Sequence, residues 1–334
     1  MLIVSINFCF VHIHLLLGVC MLKTLNNIKR LVVNSPMVKI SVEYKGIIKN
    51  IYAQCGWYSL TGSIKDRVAY QIFEDAIRLN LINSNTKVCE ATSGNMGLSI
   101  CAISNLLGLE TTIFLPQCMS EERKQLLKMY GAKLIETKDF DSAFKLCKEY
   151  EKMGYFCPHQ FENISNVNAH YNITGKEILA KIVDRNVTNF VSGVGTGGTL
   201  TGVGKCLKEK LGIKVVGLEP NMSRILSKRK PYCHHKIQGL ADKFLAPICD
   251  TSVVDNIIPI RDTDAIAMAQ KLCKELSIGV GISSGANFLG GVLAKGDSVV
   301  VLPDDNKKYL STDLSKDVNS VLVDNIKLIS LSVI

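Results

Sequence analysis

The segment whose residue types most directly predict chemistry is the glycine-rich run Gly193–Thr199, with the sequence Gly-Val-Gly-Thr-Gly-Gly-Thr. It follows an apolar run at residues 189–191 and precedes a helical pattern that extends to about Lys210. Free backbone N–H groups at a helix start lie at the positive end of the helix dipole, and glycines let a phosphate approach them closely. This run therefore predicts a phosphate-binding loop.

The same run also contains a G-x-G-x-x-G pattern, formed by Gly193, Gly195 and Gly198. Glu219 ends the next apolar run, at about the place where the dinucleotide fingerprint expects its acidic residue. A dinucleotide-dependent oxidoreductase that uses the Gly193–Thr199 loop is therefore one functional hypothesis.

Three further clusters carry groups that suit a binding site. Lys65 lies in the peptide Thr61–Arg67, where a lysine flanked by Asp and Arg is by itself typical of a solvated first helical turn. The turn Thr92–Asn95 offers hydroxyls, an amide and free N–H groups, which suit a carboxylate. The segment Gly281–Ala286 offers a second group of hydroxyls.

The elements that position these clusters follow an alternating pattern from Thr86 onward. Short apolar runs alternate with helical stretches, which predicts a parallel sheet covered by helices, and open α/β sheets bind ligands where their strands end. The predicted strands are residues 86–91, 110–115, 133–137, 155–158, 189–191, 214–218 and 297–302, the last closing the sheet. The predicted helices are residues 96–107, 120–131, 141–153, 164–183, 198–210 and 262–276, with another that starts near Ser283.

Length and charge limit the classes of function. The 334 residues, 47% of them hydrophobic, are enough for a well-buried core in two lobes. The net charge of +9 comes from mixed signs along most of the chain, which favours a solvated surface that attracts small anions. The densest basic segment, residues 224–236, has no aromatic platform beside it, so we expect a surface loop and no nucleic-acid partner.

Twelve cysteines occur at irregular spacings without a C-x-x-C pair. A chain of this size does not need disulfides to fold, so we expect reduced thiols and a cytoplasmic protein. The run Cys233-His234-His235 lacks a second cluster at ligand spacing, so we expect no metal site.

Residues 1–20 are mostly apolar and contain no Lys, Arg, Asp or Glu. They have no basic n-region or small-x-small cleavage site, and polar residues interrupt the apolar run. We expect an upstream extension or a misassigned start before Met21, and no membrane partner.

Eight short motifs occur in a fixed order between Asn34 and Leu314, and together they are far more specific than a single glycine fingerprint. The motifs are Asn34-Ser35-Pro36, the T-G-S-I-K-D-R peptide of Lys65, T-S-G-N at Thr92–Asn95, H-Q-F at His159–Phe161, the glycine-rich run, Leu218-Glu219-Pro220, Ile237-Gln238-Gly239, and G-I-S-S-G-A at Gly281–Ala286. In this set the chain resembles the fold-type II pyridoxal-phosphate enzymes, specifically the cysteine synthase and cystathionine β-synthase family.

The resemblance implies an α/β protein of two lobes, like the tryptophan synthase β subunit, in which helices wrap a mostly parallel sheet in each lobe. Residues 43–160 would form the smaller lobe, with the Schiff-base lysine and the substrate loop. Residues 21–42 and 161–314 would form the larger lobe, with the phosphate loop, followed by a tail at 315–334. The family usually forms homodimers.

The resemblance also implies roles for individual residues around pyridoxal 5'-phosphate. Lys65 would form the Schiff base and move the α-proton. Ser283, or Ser284 if the register is shifted by one, would face the pyridine nitrogen, and Asn95 would bond the ring's 3-oxygen. The phosphate would be held by Gly195, Thr196, Gly197, Gly198 and Thr199, and the substrate carboxylate by Thr92, Ser93, Gly94 and Gln160.

A serine at the ring nitrogen does not enforce a protonated pyridinium, which favours rapid loss of a β-substituent over transamination. The resemblance therefore implies β-replacement or β-elimination through an aminoacrylate intermediate, on L-cysteine or an O-substituted L-serine. Sulfide would be released or incorporated. A catalytically silent family member that acts as a binding protein is the other alternative.

Departures from the synthase pattern bear on the substrate. Met96 stands where the synthases typically have threonine, and Leu240–Phe244 replaces an Ile-Gly-Ala-Gly type of run. Asp242, within that run, is either a surface loop residue or an acid/base that activates water or protonates a leaving thiolate. The second interpretation resembles the cysteine lyase branch, which converts L-cysteine to L-serine and sulfide, and acetylserine sulfhydrylation stays open.

Overall fold

Two β-sheets with helices packed on them form the protein in this computed structural model, which describes residues 18–240 and 243–334. The strands are β1 (Met37–Tyr44), β2 (Ile47–Cys55), β3 (Val88–Ala91), β4 (Thr111–Pro116), β5 (Lys133–Thr137), β6 (Asn189–Gly193), β7 (Lys214–Pro220), β8 (Asn256–Ile260), β9 (Ser298–Leu302) and β10 (Ile326–Val333). This confirms the predicted α/β fold class.

The helices lie between these strands. They are α1 (residues 18–32), α2 (Lys65–Arg78), α3 (Asn95–Leu106), α4 (Glu121–Met129), α5 (Phe140–Lys152), α6 (Ser165–Ala169), α7 (Lys176–Ile182), α8 (Gly198–Leu211), α9 (Asp262–Leu276), α10 (Ile282–Leu293) and α11 (Val321–Asp324). A π-helical turn, His170–Gly175, connects α6 to α7. No helix in the part of the chain that the structure describes is long and apolar enough to cross a membrane.

The large sheet has the strand order β10-β1-β2-β9-β6-β7-β8. Strands β2, β9, β6, β7 and β8 are parallel, and β1 and β10 add antiparallel at one edge. Parallel strands that are covered on both faces need apolar side chains on both faces, and all five residues of β9 are buried. Strand β9 lies in the middle of the sheet, between β2 and β6, so the expectation that it closes the sheet was wrong.

The small sheet is fully parallel, in the order β3-β4-β5. Its strand β3 follows α2 in the chain and leads directly into the turn Thr92–Asn95. The predicted strand at residues 155–158 forms only an isolated bridge, between Val88 and Phe156.

The ends of the two lobes differ from the sequence-based boundaries. The segment from Glu43 to Cys55, expected in the smaller lobe, belongs to the large sheet, because β2 pairs in parallel with β9 and buries Ile51 and Ala53 in its core. Helix α1, expected with the larger lobe, packs Leu25 into the core of α2 and α3. The tail at 315–334 supplies the edge strand β10.

Candidate active site

Helices α2, α3, α8 and α10 all begin at one cavity of about 410 Å³. Nine of the residues that the sequence predicted for the site line this cavity: Lys65, Ser93, Asn95, Gln160, Gly195, Thr196, Gly197, Thr199 and Ser283. Thr92, Gly94, Gly198 and Ser284 lie behind these lining residues, and Asp242 lies outside the described residues. Segments far apart in the sequence therefore meet at one site.

The glycines of the loop pack too closely against neighbouring segments to be replaced by residues with a side chain. A Cβ on Gly195 would lie 2.3 Å from the backbone oxygen of Gly239, and a Cβ on Gly198 would lie 2.1 Å from Oδ1 of Asn166. Gly197, at the N-cap of α8, has a φ of 81°, which side chains rarely adopt. The loop thus brings bare backbone to the cavity at a helix start, as an anion site requires.

Two threonine hydroxyls of the loop are held by polar side chains from the segment before it. Asn166 Nδ2 donates to Thr196 Oγ1 at 3.1 Å and to the backbone oxygen of Gln160 at 2.8 Å. Thr199 Oγ1 lies 3.2 Å from Nε2 of His170. Asn166 and His170 therefore fix the hydroxyls that the loop presents to the cavity.

His170 is fully buried, and its other ring nitrogen, Nδ1, lies 3.1 Å from Thr174 Oγ1. That hydroxyl also accepts a hydrogen bond from Arg67 at 3.0 Å. His170 therefore connects Arg67, through Thr174, to the Thr199 hydroxyl of the loop. Burial holds the pKa of His170 well below its usual value, with the charges of Lys65 and Arg67 acting in the same direction.

Arg67 connects this chain of hydrogen bonds to the rest of the fold. Its buried guanidinium bonds Glu177 at 2.9 Å and Ser35 Oγ at 2.6 Å. It also donates to the backbone oxygen of Val32 at 3.2 Å. Because Arg67 follows Lys65 by two residues in α2, these bonds fix the start of that helix.

Asp66 joins the start of α2 to α3. Its carboxylate accepts bonds from Thr61 N at 2.7 Å, Thr61 Oγ1 at 2.6 Å and Ser99 Oγ at 2.7 Å. Lys65 precedes Asp66, and Asn95 lies one helical turn before Ser99. The carboxylate therefore sets Lys65 and Asn95 at a fixed separation.

Asn95 is oriented by a buried carboxylate on the other side of the cavity. Its Nδ2 donates to Asp304 Oδ2 at 2.7 Å, and the Tyr309 hydroxyl donates to the same oxygen at 2.7 Å. The guanidinium of Arg123 lies 4.6 Å from the Tyr309 ring centroid and 3.9 Å from Asp304. Asn95 Oδ1 is buried without a hydrogen-bond partner among the described residues.

Hydrogen bonds and side-chain packing fix the turn that precedes Asn95. Thr92 Oγ1 accepts from the backbone N–H of Gly94 at 3.1 Å. Gln160 Nε2 donates to the backbone oxygen of Ala91 at 3.2 Å. Arg123 covers Gly94, which has a φ of 132°, so closely that a Cβ there would lie 2.5 Å from its Cδ. Of this turn, the residues that line the cavity are Ser93 and Asn95.

The two neighbouring serines in the first turn of α10 have different surroundings. Ser283 lines the cavity, whereas Ser284 is fully buried and donates to the backbone oxygen of Asp304 at 3.3 Å. One turn later, Asn287 Oδ1 accepts from the backbone N–H of Gly193 at 2.7 Å. Helix α10 is thereby fixed against the strand that precedes the glycine loop.

Glu219 does not face the cavity. Its carboxylate is buried and accepts from the backbone N–H of Ser227 at 3.0 Å and from the Ser227 hydroxyl. Both oxygens are therefore engaged in holding the loop after β7, which removes the acidic ligand that a dinucleotide site needs.

Comparison with known proteins identifies the class. The family model described as pyridoxal-phosphate dependent enzyme matches residues 28–304. A cysteine synthase of Staphylococcus aureus (strain Mu50) is 37% identical over 303 residues, which cover 87% of this chain and 97% of the relative. The solved structure of a hydrogen sulfide-producing enzyme from Fusobacterium nucleatum has a TM-score of 0.89 at 40% identity, over 93% of this chain and 99% of that one. A mutant of that enzyme, solved with an α-aminoacrylate intermediate, also has a TM-score of 0.89, at 39% identity over 93% of this chain and 99% of that one.

The chain therefore belongs to the family of pyridoxal-phosphate dependent enzymes. Within that family it is an enzyme of the cysteine synthase type, which works by β-replacement or β-elimination through aminoacrylate with sulfide as a reactant or product. The predicted family, cofactor and reaction type are confirmed, and they are favoured over the oxidoreductase.

The described residues fit pyridoxal phosphate. Gly195 and Gly197 line one part of the cavity with bare backbone, and two fixed hydroxyls, of Thr196 and Thr199, line the same part. The unpartnered Oδ1 of Asn95 and the amine of Lys65 belong to the same cavity. Donors for an anion and an amine for an aldehyde are the groups that this cofactor requires.

The sequence analysis missed several residues that shape the site. Asn166, His170 and Arg123 each hold a predicted site residue, and Asp304 holds Asn95. Single polar residues of common types carry no spacing signal. The one available signal was the position of Asn287, one helical turn after Ser283 and on the same face of α10.

Proposed function

We propose that this protein converts L-cysteine to L-serine and hydrogen sulfide, by replacing the β-thiol with a hydroxyl from water. The observation that carries the proposal is the match of 93% of the chain to the hydrogen sulfide-producing enzyme, at 40% identity. The use of sulfide on acetylserine is the second candidate, favoured by the 37% identity to a cysteine synthase.

The proposed catalytic group is the Lys65 amine. It holds the cofactor aldehyde through Nζ, and the same nitrogen takes the proton from the substrate α-carbon and returns it at the end of the reaction. The bound cofactor supplies an electron sink for the pair that this proton leaves behind. The geometry that supports the role is the placement of Lys65 at the cavity, fixed by Asp66 and Arg67.

The remaining cofactor contacts are proposed from the same cavity. Backbone N–H groups of Gly195, Gly197 and Gly198, with the hydroxyls of Thr196 and Thr199, hold the phosphate. Asn95 bonds the 3-oxygen of the ring. Ser283 faces the pyridine nitrogen, which is supported by its place at the cavity, while Ser284 is engaged with Asp304.

The substrate carboxylate is proposed to bind the turn at Ser93, with Thr92, Gly94 and Gln160 completing the set. Thr92 acts by fixing the N–H of Gly94, and Gln160 holds the end of β3. Closure of this turn on the carboxylate excludes water until the β-thiol has left. Asp242 protonates the leaving thiolate and then takes a proton from the attacking water.

The decisive experiment measures sulfide and L-serine formed from L-cysteine by the purified holoenzyme. We expect equal amounts of both products, together with a visible absorption band of the bound cofactor. Lys65→Ala should lose the band and the products, whereas Lys87→Ala, on an exposed lysine outside the cavity, should keep both. A wild-type protein with the band but no product from L-cysteine or acetylserine would be the catalytically silent member.

Asp242→Ala separates the two candidate reactions. If Asp242 handles the thiolate and water protons, this variant should lose most sulfide release from L-cysteine. The control is Asp139→Ala, which changes an acidic residue that lines the cavity and should leave that rate unchanged. An unaltered rate in Asp242→Ala would remove Asp242 from the mechanism.

We also propose that the protein is a cytoplasmic homodimer whose two lobes enclose the cofactor. The support is the family's usual assembly and the cysteines of the described residues, which are all free thiols. A molar mass in solution equal to one chain would contradict the dimer.

A further inference from the structure

Three buried thiols meet in the smaller lobe, away from the catalytic cavity. Cys89 lies on β3, Cys147 on α5, and Cys157 on the segment that leads to Gln160. The sulfur of Cys147 is 3.0 Å from that of Cys157 and 3.8 Å from that of Cys89. All three sulfurs lie within 4.8 Å of one another. The sequence spacing gave no sign of this cluster, because its members are 58 and 10 residues apart.

The pocket around the cluster is apolar and nearly closed. Ala91, Phe114 and Ala143 are buried in the same hydrophobic core, with Tyr150 and Tyr155 packed against it. Cys147 and Cys157 keep only 4% and 7% of their surface exposed. Such a pocket excludes hard ions that need water or carboxylate oxygens, and it suits an ion that binds sulfur.

Two titratable residues, Glu90 and His159, lie next to the thiols, and each forms hydrogen bonds with other residues. Glu90 accepts from the backbone N–H groups of Ala91 at 3.0 Å and Gln160 at 3.4 Å, and burial raises its pKa well above the usual value. His159 bonds Glu151 at 2.7 Å at the surface. The cluster therefore offers three sulfur ligands and, among the described residues, no fourth.

The separations of the sulfurs suit a three-coordinate ion. Three sulfurs bound at about 2.3 Å to one ion lie roughly 4 Å apart. The 3.8 Å edge already has this length, and the 3.0 Å edge has to open by about 1 Å when the ion binds. Structural zinc takes four ligands, so a three-sulfur site favours a soft ion of lower coordination number.

The charge of the cluster points to a monovalent ion. Either member of each sulfur pair can donate a hydrogen bond to the other, and the three thiols lie in an apolar core. Exchange of one thiol proton for a monovalent ion leaves the net charge of the cluster unchanged, which an apolar core favours.

We propose that Cys89, Cys147 and Cys157 form a binding site for a soft monovalent cation, Cu(I), held by three sulfurs. The site cross-links β3, α5 and the segment before Gln160. Strand β3 leads directly into the turn Thr92–Asn95, and Gln160 bonds the backbone oxygen of Ala91 at the end of β3, so the ion stabilises the lobe that carries this turn. The proposal rests on the described geometry of the lobe and is independent of the reaction at the cavity.

The test is a competition titration of the reduced holoenzyme with Cu(I), without oxygen, against a chromogenic Cu(I) chelator. We expect about one equivalent of Cu(I) per chain to resist the chelator in the wild type. Cys147→Ala and Cys157→Ala should each lose that equivalent. Cys101→Ala, which removes an equally buried thiol outside the cluster, should retain it. Equal retention in all four proteins would overturn the proposal.

A second measurement uses the wild type alone and does not depend on the folding of variants. X-ray absorption of the bound copper should show only sulfur neighbours, about three of them at roughly 2.3 Å. Peptide mapping after alkylation should show Cys89, Cys147 and Cys157 protected by Cu(I). Nitrogen or oxygen neighbours, protection of other cysteines instead, or a Cys147–Cys157 disulfide in the reduced protein would each refute the site.

Discussion

The buried imidazole of His170 should make the stability of the holoenzyme depend on pH in a predictable direction. In the unfolded chain a histidine has a pKa of about 6.5. In the folded protein the pKa of His170 lies well below that value, because burial and the charges of Lys65 and Arg67 disfavour the imidazolium. Between these two pKa values the unfolded chain binds one more proton than the folded protein.

The size of the effect follows from that single proton. The free energy of unfolding is unaffected by His170 above about pH 7.5 and falls as the pH drops through 6.5. Between pH 7.5 and 5.5 the loss is about 1.4 kcal/mol. The contribution of Glu90 to the free energy of unfolding changes with pH in the opposite direction. Because its pKa is raised in the folded protein, the folded state binds more protons than the unfolded chain, and Glu90 adds stability as the pH falls.

A comparison with His170→Gln isolates the histidine, because both proteins retain Glu90. Urea unfolding followed by the fluorescence of Trp57, the single tryptophan, gives the free energy of unfolding at each pH. We expect the wild type to lose about 1.4 kcal/mol more than His170→Gln between pH 7.5 and 5.5. His159→Gln, which changes a histidine with 37% of its side chain exposed, is the matched control and should behave like the wild type.

The reasoning fails if the wild type and His170→Gln lose the same free energy over this range. That result would mean that the imidazole takes up a proton in the folded state.

Two further predictions concern the glycine loop and the buried ion pair. Gly198→Ala places a Cβ 2.1 Å from Oδ1 of Asn166, so equilibrium dialysis should show cofactor affinity reduced at least about tenfold. Gly204→Ala, in the same helix but outside the cavity lining, places its Cβ 3.2 Å from the methyl groups of Val215 and should bind the cofactor normally. Arg67→Met leaves the partly buried carboxylate of Glu177 without the guanidinium and should lower the free energy of unfolding by about 3 kcal/mol. Arg78→Met, on an exposed i,i+4 pair, should change it by less than about 0.5 kcal/mol, and equal losses in both would contradict the argument.

The parts of the fold that the sequence predicted well are those set by local chemistry. The bounds of β5 and α9 match the predicted ranges, because apolar periodicity specifies them directly. Local sequence also predicts that Ser120 caps α4, because two glutamates follow it in the first turn. In the structure the Ser120 hydroxyl donates to the backbone oxygen of Lys308 instead, a tertiary contact that no local pattern contains.

The residues of the site also divide into those that local motifs predict and those that depend on tertiary contacts. Lys65, Asn95 and Ser283 stand in short motifs that resemble those of the family, and this resemblance predicts one site for the three residues, all of which line the cavity. His170 and Asp304 act through single hydrogen bonds across the fold, and such bonds depend on how helices and strands pack. The edge strand β10 was missed because its partner, β1, lies nearly 300 residues earlier.

The central position of β9 dictates the order in which the protein can assemble during synthesis. The small sheet uses strands from one continuous segment, Val88 to Thr137, so its pairing is complete once that segment has emerged from the ribosome. The large sheet cannot join β2 to β6 until Ser298–Leu302 is made, since β9 lies between them. Until then the hairpin of β1 and β2 is separated from the strand of the phosphate loop. The lobe that carries Lys65 can therefore fold before the large sheet is complete. The cofactor site is completed only when nearly the whole chain has been translated.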